Sequence, residues 1–174
     1  MELRKEIEPQ FNIAEDRYSH ILRLILDYAD YCEKTGDEQS IEYKKLEAKL
    51  HLITGKEMSS FNLWEWWEEE GAENLAFDIS LPDPGRINDL NKKELTEIVR
   101  RLTRFELPDE KENSFNATFY FRTTASGRYF DKLLKLNFKT YNQKLFLRQK
   151  DKSGNYFEYT SEEIVEKLWN NGDH

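Results

Sequence analysis

Cysteine, glycine and long apolar runs are all scarce in this chain of 174 residues. Its single cysteine, Cys32, excludes an intramolecular disulfide and a cysteine-based zinc site, and it fits a reducing compartment. The seven glycines are scattered, so the glycine-rich patterns of phosphate-binding loops are missing. No apolar run reaches the length of a signal-peptide core or a membrane span. We therefore expect a cytoplasmic protein with no membrane segment and no nucleotide-driven chemistry.

Charge is abundant, and it is divided unevenly along the chain. Residues 1–90 hold 10 Lys and Arg against 21 Asp and Glu, a net charge of −11, whereas residues 91–174 hold 16 against 13, a net charge of +3. An acidic protein resists aggregation through its charge alone, which is the simplest interpretation. The alternative is that the acidic half faces a basic partner, because complementary potentials speed association and disfavour wrong partners.

Apolar residues at helical spacing predict a helical hairpin in the first third of the chain. The first helix is predicted from Asn12, with an apolar stripe that runs to Cys32, and Gly36 ends it. The second helix follows Ser40, and Gly55 is its stop signal.

The stretch from Ser60 to Phe77 is the most distinctive part of the sequence, because it holds three of the four tryptophans among several glutamates. Tryptophan buries a large area and glutamate resists burial, so the pattern is typical of an element with one apolar face and one negative face. We predict a third helix that begins at Ser59 or Ser60 and runs through Glu70. Its apolar face would consist of Phe61, Trp64 and Trp67.

Capping signals predict two more helices in the second half. The LPDPG segment at residues 81–85 predicts a turn inside the domain, not a domain boundary. After it, Asn91 and Glu94 have the spacing of a capping box that opens a fourth helix. Thr160 and Glu163 have the same spacing at the start of a final helix.

The region between those two helices is harder to interpret. Residues 115–122 alternate between aromatic and other residues, which predicts a strand, and residues 129–138 favour a helix over a strand. Residues 144–149 and 155–159 predict a short hairpin, because turn-forming residues separate them. The predicted fold class is therefore α+β: a mainly helical single domain, residues 1–174, with a small antiparallel β element in the C-terminal half.

Patterns for catalysis and metal binding are weak. His20 and His51 have no histidine or carboxylate at the fourth following position, which a metal-binding helix face would need. Asp151, Ser153 and Asn155 alternate as in a calcium loop, but the glycine of that loop is misplaced. We predict no catalytic, cofactor-binding or metal-binding residues, and no cofactor.

Two other chemistries remain as alternatives. Glu65, Glu68 and Glu69 would share one side of the predicted helix, and clustered carboxylates are what a small hydrolase uses. Residues 128–152 mix lysine and arginine with aromatic residues, a pattern typical of an adaptor that binds single-stranded nucleic acid. The overall net charge of −8 argues against nucleic acid, because it repels phosphate.

Two segments of the second half have a distinctive layout. The first, FDISLPDPGRINDLNKKELTEIVRRL, places a proline-bearing turn before a charged helix, and the second, YFDKLLKLNFKTYNQKLFLRQKDKSGNYFEYTSEEIVEKLW, ends in a capped helix. This layout resembles the small cytosolic immunity proteins of bacterial contact-dependent inhibition and other polymorphic-toxin systems. The resemblance implies a non-enzymatic protein that neutralises a cognate toxin domain, and it carries over no functional residues.

The acidic, tryptophan-rich stretch suits such a role. Toxin nucleases are commonly basic because they bind phosphate, so an inhibitor gains from an acidic face with an aromatic anchor. We therefore predict a binding protein that acts by covering a surface of a protein partner, for example a basic toxin domain. The predicted partner-binding residues are Glu65, Trp66, Glu68, Glu69 and Glu70.

Overall fold

The structure is a computed structural model that describes residues 2–66, 71–104, 114–125 and 127–169, and it is mainly helical. Its α-helices are α1 (Phe11–Thr35), α2 (Ile41–Thr54), α3 (Ala72–Ser80), α4 (Lys92–Thr103), α5 (Phe115–Thr124), α6 (Tyr129–Asn137) and α7 (Ser161–Trp169). A two-stranded antiparallel sheet joins β1 (Gln149–Lys150) to β2 (Tyr156–Phe157). The predicted combination of many helices with a small antiparallel element in the C-terminal half is confirmed.

The chain divides into two compact units. The acidic unit is Gln10–Pro82, and the mixed-charge unit consists of Met1–Pro9 and Asp83–His174. The division falls inside the proline-bearing segment at residues 81–85, where we predicted a turn within one domain, so the single-domain prediction is not confirmed. The acidic unit holds 7 Lys and Arg against 16 Asp and Glu, a net charge of −9, and the mixed-charge unit has a net charge of +1. The charge asymmetry of the sequence therefore follows the division into units.

The acidic unit is built on the predicted helical hairpin. α1 packs against α2 and α3, and it begins at Phe11, one residue before the predicted start. The side chains that form the core recur at helical spacing along all three helices, because each helix buries one face. They include Ile21, Ile25, Tyr28 and Cys32 of α1, Leu46 and Leu50 of α2, and Ala72, Ala76 and Ile79 of α3.

In the mixed-charge unit, both predicted capping boxes are present. The side-chain oxygen of Asn91 accepts hydrogen bonds from the backbone N–H groups of Lys93 and Glu94, and the Glu94 carboxylate accepts one from the Asn91 N–H. At the start of α7, Thr160 and Glu163 exchange the same pair of bonds. The helix α4 packs against α7 and against α6.

The helix α5 replaces the strand that we predicted over residues 115–122, so that prediction was wrong. Its first turn is capped by Ser114, whose hydroxyl oxygen accepts a hydrogen bond from the Ala117 N–H. Phe115 and Phe119 lie one turn apart, with ring centroids 4.9 Å from each other. The aromatic residues therefore fit a helical period as well as an alternating one, and the cap decides in favour of the helix.

The helix predicted over residues 129–138 is confirmed as α6, but the hairpin strands are shorter than predicted. Residues Gln143–Phe146 form a 3-10 helix, because the Asn142 side chain accepts a hydrogen bond from the Lys144 N–H and turns the chain there. The paired positions are Gln149 with Phe157 and Lys150 with Tyr156.

Asp151 closes the turn of this hairpin. Its carboxylate accepts hydrogen bonds from the backbone N–H groups of Asn155 and Ser153, and these bonds lower its pKa. The Asn155 side-chain amide also donates to it, at 3.3 Å. The alternation that resembles a calcium loop is therefore explained by a turn that the carboxylate stabilises itself.

Ion pairs hold the amino-terminal residues against both ends of α4. At the first turn, Arg4 Nε donates to the Glu94 carboxylate at 2.7 Å. Near the last turn, the Arg101 guanidinium donates two hydrogen bonds to the Glu8 carboxylate, at 2.8 and 2.9 Å. Ile7, which lies between the two charged residues, is fully buried. The segment is thus fixed by two ion pairs and an apolar anchor.

Glu97 is the second carboxylate that pairs with Arg101, after Glu8. Its side chain is only 6% exposed, and it accepts hydrogen bonds from Arg100 at 2.8 and 2.9 Å and from Arg101 at 3.0 Å. The bonds from Arg100, opposed by burial and reinforced by those from Arg101, lower the pKa of Glu97 to about 2. Arg101 itself is 14% exposed and lies over the Phe130 ring, 5.5 Å from its centroid.

Replacement Glu97→Gln should destabilise the fold by about 2 kcal/mol, because it removes the anion from two arginines in a buried site. Since the pKa of Glu97 is lowered, its stabilisation is complete above the ordinary carboxyl pKa of 4.5 and is lost as the pH falls towards 2. The difference between wild type and variant in urea unfolding should therefore narrow by about 1 kcal/mol between pH 7 and pH 4.

The matched control is Glu158→Gln, at an exposed position of the same unit. This change should leave the free energy of unfolding almost unaltered at both pH values. A constant difference between wild type and Glu97→Gln across the pH range would contradict the ionic role of Glu97.

Candidate partner-binding surface

The segment that we predicted as the third helix has a different structure at its start. Residues Met58–Ser60 form a single 3-10 turn, and the stretch 61–65 contains no helix. The cause is Asn62, whose side-chain oxygen accepts hydrogen bonds from the backbone N–H groups of Trp64 and Glu65 at 3.2 and 3.0 Å. The prediction of one continuous helix from Ser59 or Ser60 was therefore wrong over these residues.

The predicted partner-binding residues fall into three groups. Glu65 is exposed, and its carboxylate lies 3.4 Å from the Asn62 side-chain nitrogen. Trp66 is half-buried and packs against the core of the acidic unit. The other three predicted residues, Glu68, Glu69 and Glu70, lie outside the described residues. Trp67 also lies outside them.

Trp64 is the more exposed of the two described tryptophans in this stretch, at 39%. Its ring meets the edge of the Tyr28 ring, with centroids 5.9 Å apart and an interplanar angle of 67°. Tyr28 in turn meets the Tyr43 ring at 5.8 Å, also edge to face. We call these three side chains the aromatic edge. The sequence placed Trp64 on the apolar face of a predicted helix and left open which tryptophan of this stretch is exposed, and it gave no signal for the contact with Tyr28 and Tyr43.

Asp37 orders the backbone beside the aromatic edge. Its carboxylate accepts hydrogen bonds from the N–H groups of Ile41 and Tyr43, each at 2.9 Å, and lies 3.4 Å from the Tyr28 hydroxyl. Ser40 makes no side-chain capping bond, so Asp37 serves as the cap of α2. Although burial opposes the change, the backbone hydrogen bonds of Tyr43, Glu42 and Ile41 lower the pKa of Asp37. Burial is the main cause of the raised pKa of Tyr28.

Exposed acidic residues surround this end of the hairpin. They lie on the last turns of α1 and on the loop that follows it, and they are Asp27, Asp30, Glu33 and Glu38. Asp30 pairs with Lys34 one turn further on, at 2.7 Å. The end of the hairpin thus combines a partly exposed indole with a group of exposed carboxylates.

Within residues 2–66, 71–104, 114–125 and 127–169, no group of three or more His, Cys, Asp or Glu side chains could hold a metal ion. His20 and His51 are exposed and lie near Arg23 and the Lys56 carbonyl. Among the same described residues, no helix is both long and apolar enough to cross a membrane.

Several of the described basic residues of the second half are paired with carboxylates. Lys132 lies 3.4 Å from the Asp83 carboxylate, and Arg100 and Arg101 are engaged by Glu97. On the hairpin, in contrast, Arg148 and Lys150 lie over the exposed Tyr156 ring, 4.4 and 4.7 Å from its centroid.

Comparisons of the chain with protein-family models, with curated proteins and with solved structures find no match. The resemblance to immunity proteins thus depends on the two quoted segments alone, and it stays a prediction.

Replacement Asp37→Ala should lower the Tm by about 5 °C, because α2 loses its cap. Since the pKa of Asp37 is lowered, its contribution is present above the ordinary carboxyl pKa and is lost as the pH falls, so the difference in Tm should shrink in acid. Asp37→Asn should be milder, since asparagine also caps helices well. Thermal unfolding followed by near-ultraviolet circular dichroism measures both variants. Equal losses in Asp37→Ala and in the exposed control Glu38→Ala would contradict the capping role.

Proposed function

We propose that the chain is a cytoplasmic, non-enzymatic binding protein whose acidic unit covers a surface of a basic protein partner, as an immunity protein covers its toxin domain. The observation that carries this proposal is a net charge of −9 within Gln10–Pro82, the same unit that exposes Trp64 in part. A strongly negative surface attracts a basic partner over distances near the Debye length and raises the association rate.

The aromatic edge supplies an anchor for such a partner. Tryptophan and tyrosine are the residues that most often carry binding energy at interfaces, because they bury a large rigid area at low entropic cost. Trp64 is held by its contact with Tyr28, and Tyr28 is held by Tyr43 and Asp37. The indole is therefore positioned before the partner arrives, which reduces the cost of ordering it on binding.

Glu65 adds charge beside the anchor. Its exposed carboxylate directly follows Trp64 in the chain, on a backbone turn that Asn62 fixes. An arginine of a partner can stack on an indole and donate to a nearby carboxylate, a combination that lysine reproduces poorly. We therefore propose that Trp64 and Glu65 form the centre of the contact, and that the predicted partner-binding residues that follow them in the chain, Trp66, Glu68, Glu69 and Glu70, also contribute to binding.

The test begins with affinity capture from native lysate and identification of the captured protein, followed by titration calorimetry with that protein in pure form. We expect one basic partner at a ratio of one to one, and Trp64→Ala should weaken its binding about 30-fold. Glu65→Lys should also weaken binding, and the loss of affinity should be larger at low salt than at high salt, because salt screens the charge contribution.

The control is Asp16→Lys, which makes the same change of charge on α1 about 18 Å along the helix from Tyr28. This variant should bind almost as well as wild type at high salt. A partner of neutral or acidic character, or equal affinity for Trp64→Ala and wild type, would overturn the proposal.

A second candidate function is favoured by the hairpin, where two cations cover one exposed aromatic ring. Such a pair can contact phosphates while the tyrosine stacks on a base, so the hairpin fits an adaptor for single-stranded nucleic acid. Under this reading, Tyr156→Ala should weaken binding of a labelled twelve-nucleotide oligomer about tenfold in fluorescence anisotropy, and Tyr156→Phe should bind normally. Absence of binding by wild type at low salt would remove this candidate.

A further inference from the structure

The outer side of α2 exposes two large apolar side chains on one stripe. Leu52 is 86% exposed and Ile41 is 51% exposed. Since successive helical residues are about 100° apart, residues 41, 45, 48 and 52 lie along one line on the helix surface, and all four are exposed. The opposite side of α2 contributes Leu46 and Leu50 to the core. The helix therefore has apolar residues on both sides, and within the described ranges 2–66, 71–104, 114–125 and 127–169 only the inner side is buried.

We propose that this stripe is the contact surface for a second copy of the chain, in a two-fold antiparallel pairing of α2 with α2. A two-fold axis through the middle of the helix places Ile41 opposite Leu52 of the second copy, and Lys45 opposite Ala48 of the second copy. The small Ala48 side chain permits a close approach at that crossing. Each chain thus contributes one large apolar residue to each end of the contact.

The charges beside the stripe are self-complementary in this arrangement. Glu42 and Lys49 lie on the same flank of the stripe, at about 100° and 80° from Ile41 around the helix. The two-fold axis brings Glu42 to within about 3 Å, measured along the helix, of Lys49 of the second copy, and the reverse pair forms by symmetry. A parallel two-fold pairing would place the two copies of this flank on opposite sides of the contact, so Glu42 and Lys49 of different copies would not meet. The charge pattern therefore selects the antiparallel pairing.

The charge of the acidic unit also favours α2 for a contact between copies. The helix carries Lys44, Lys45 and Lys49 against Glu42 and Glu47, whereas the whole unit has a net charge of −9. Two copies that approach through α2 therefore meet less like-charge repulsion than through the acidic surface around Trp64.

The size of the contact sets its strength. A helix of 14 residues is about 20 Å long, and two such helices bury much less than the roughly 800 Å² per partner of a stable complex. We therefore expect a weak, reversible dimer with a dissociation constant on the order of 0.1 mM, a value that standard measurements reach.

Sedimentation velocity of the full chain between 10 µM and 1 mM tests the proposal. The expected result is a shift from monomer to dimer with concentration, and Leu52→Lys should raise the dissociation constant at least tenfold. The matched control is Leu26→Lys, an exposed leucine of α1 in the same unit, which should dimerise like wild type. Since both leucines are exposed, neither change should unfold the protein, and circular dichroism verifies this.

Charge exchange tests the antiparallel register. Glu42→Lys and Lys49→Glu should each weaken the dimer, and the double variant should restore it, because both reciprocal pairs form again with reversed sign. A chain that stays monomeric at 1 mM would overturn the proposal, as would a dimer that Leu52→Lys leaves unchanged. A dimer that the double variant fails to restore would overturn the antiparallel register. None of these outcomes depends on the function proposed for Trp64.

Discussion

The requirement that the buried guanidinium of Arg101 be neutralised is the constraint on which the mixed-charge unit depends most. A largely desolvated cation is stable only with close anions, and here Glu8 and Glu97 supply them. Because Glu8 belongs to the amino-terminal segment and Glu97 to α4, satisfying one charge fixes the position of two separate pieces of chain. Phe130 completes the site from a third piece, since its ring lies under the guanidinium.

Local signals explain which elements the sequence could predict. The capping boxes of α4 and α7 each depend on two residues three positions apart, so they can be found without knowledge of the fold. The hairpin of α1 and α2 was equally accessible, since its apolar stripes are long. In contrast, α5 has aromatic residues that satisfy two periods at once, and a short segment gives too few positions to separate them.

The candidate surface shows where local reasoning stops. Glu65 could be identified as an exposed acid from the sequence, but the role of Trp64 depends on Tyr28 and Tyr43, which lie on two other elements. The side chain of Asn62 determined the path of the chain there, and its effect is decided by competition between two sets of hydrogen bonds. Likewise, Arg101 and Glu8 are 93 positions apart, a separation at which a sequence pattern carries no information about pairing.

The order of the units along the chain has a consequence for synthesis on the ribosome. The acidic unit is one uninterrupted segment, so all of it has been made once Pro82 has left the exit tunnel. The mixed-charge unit instead needs Met1–Pro9 together with residues that are made after position 82. Synthesis proceeds at about 5–20 residues per second, so several seconds pass between the emergence of Glu8 and that of Arg101. The acidic unit is already complete when Arg101 emerges. Residues 1–9 are therefore made before the acidic unit and reach their native contacts after it.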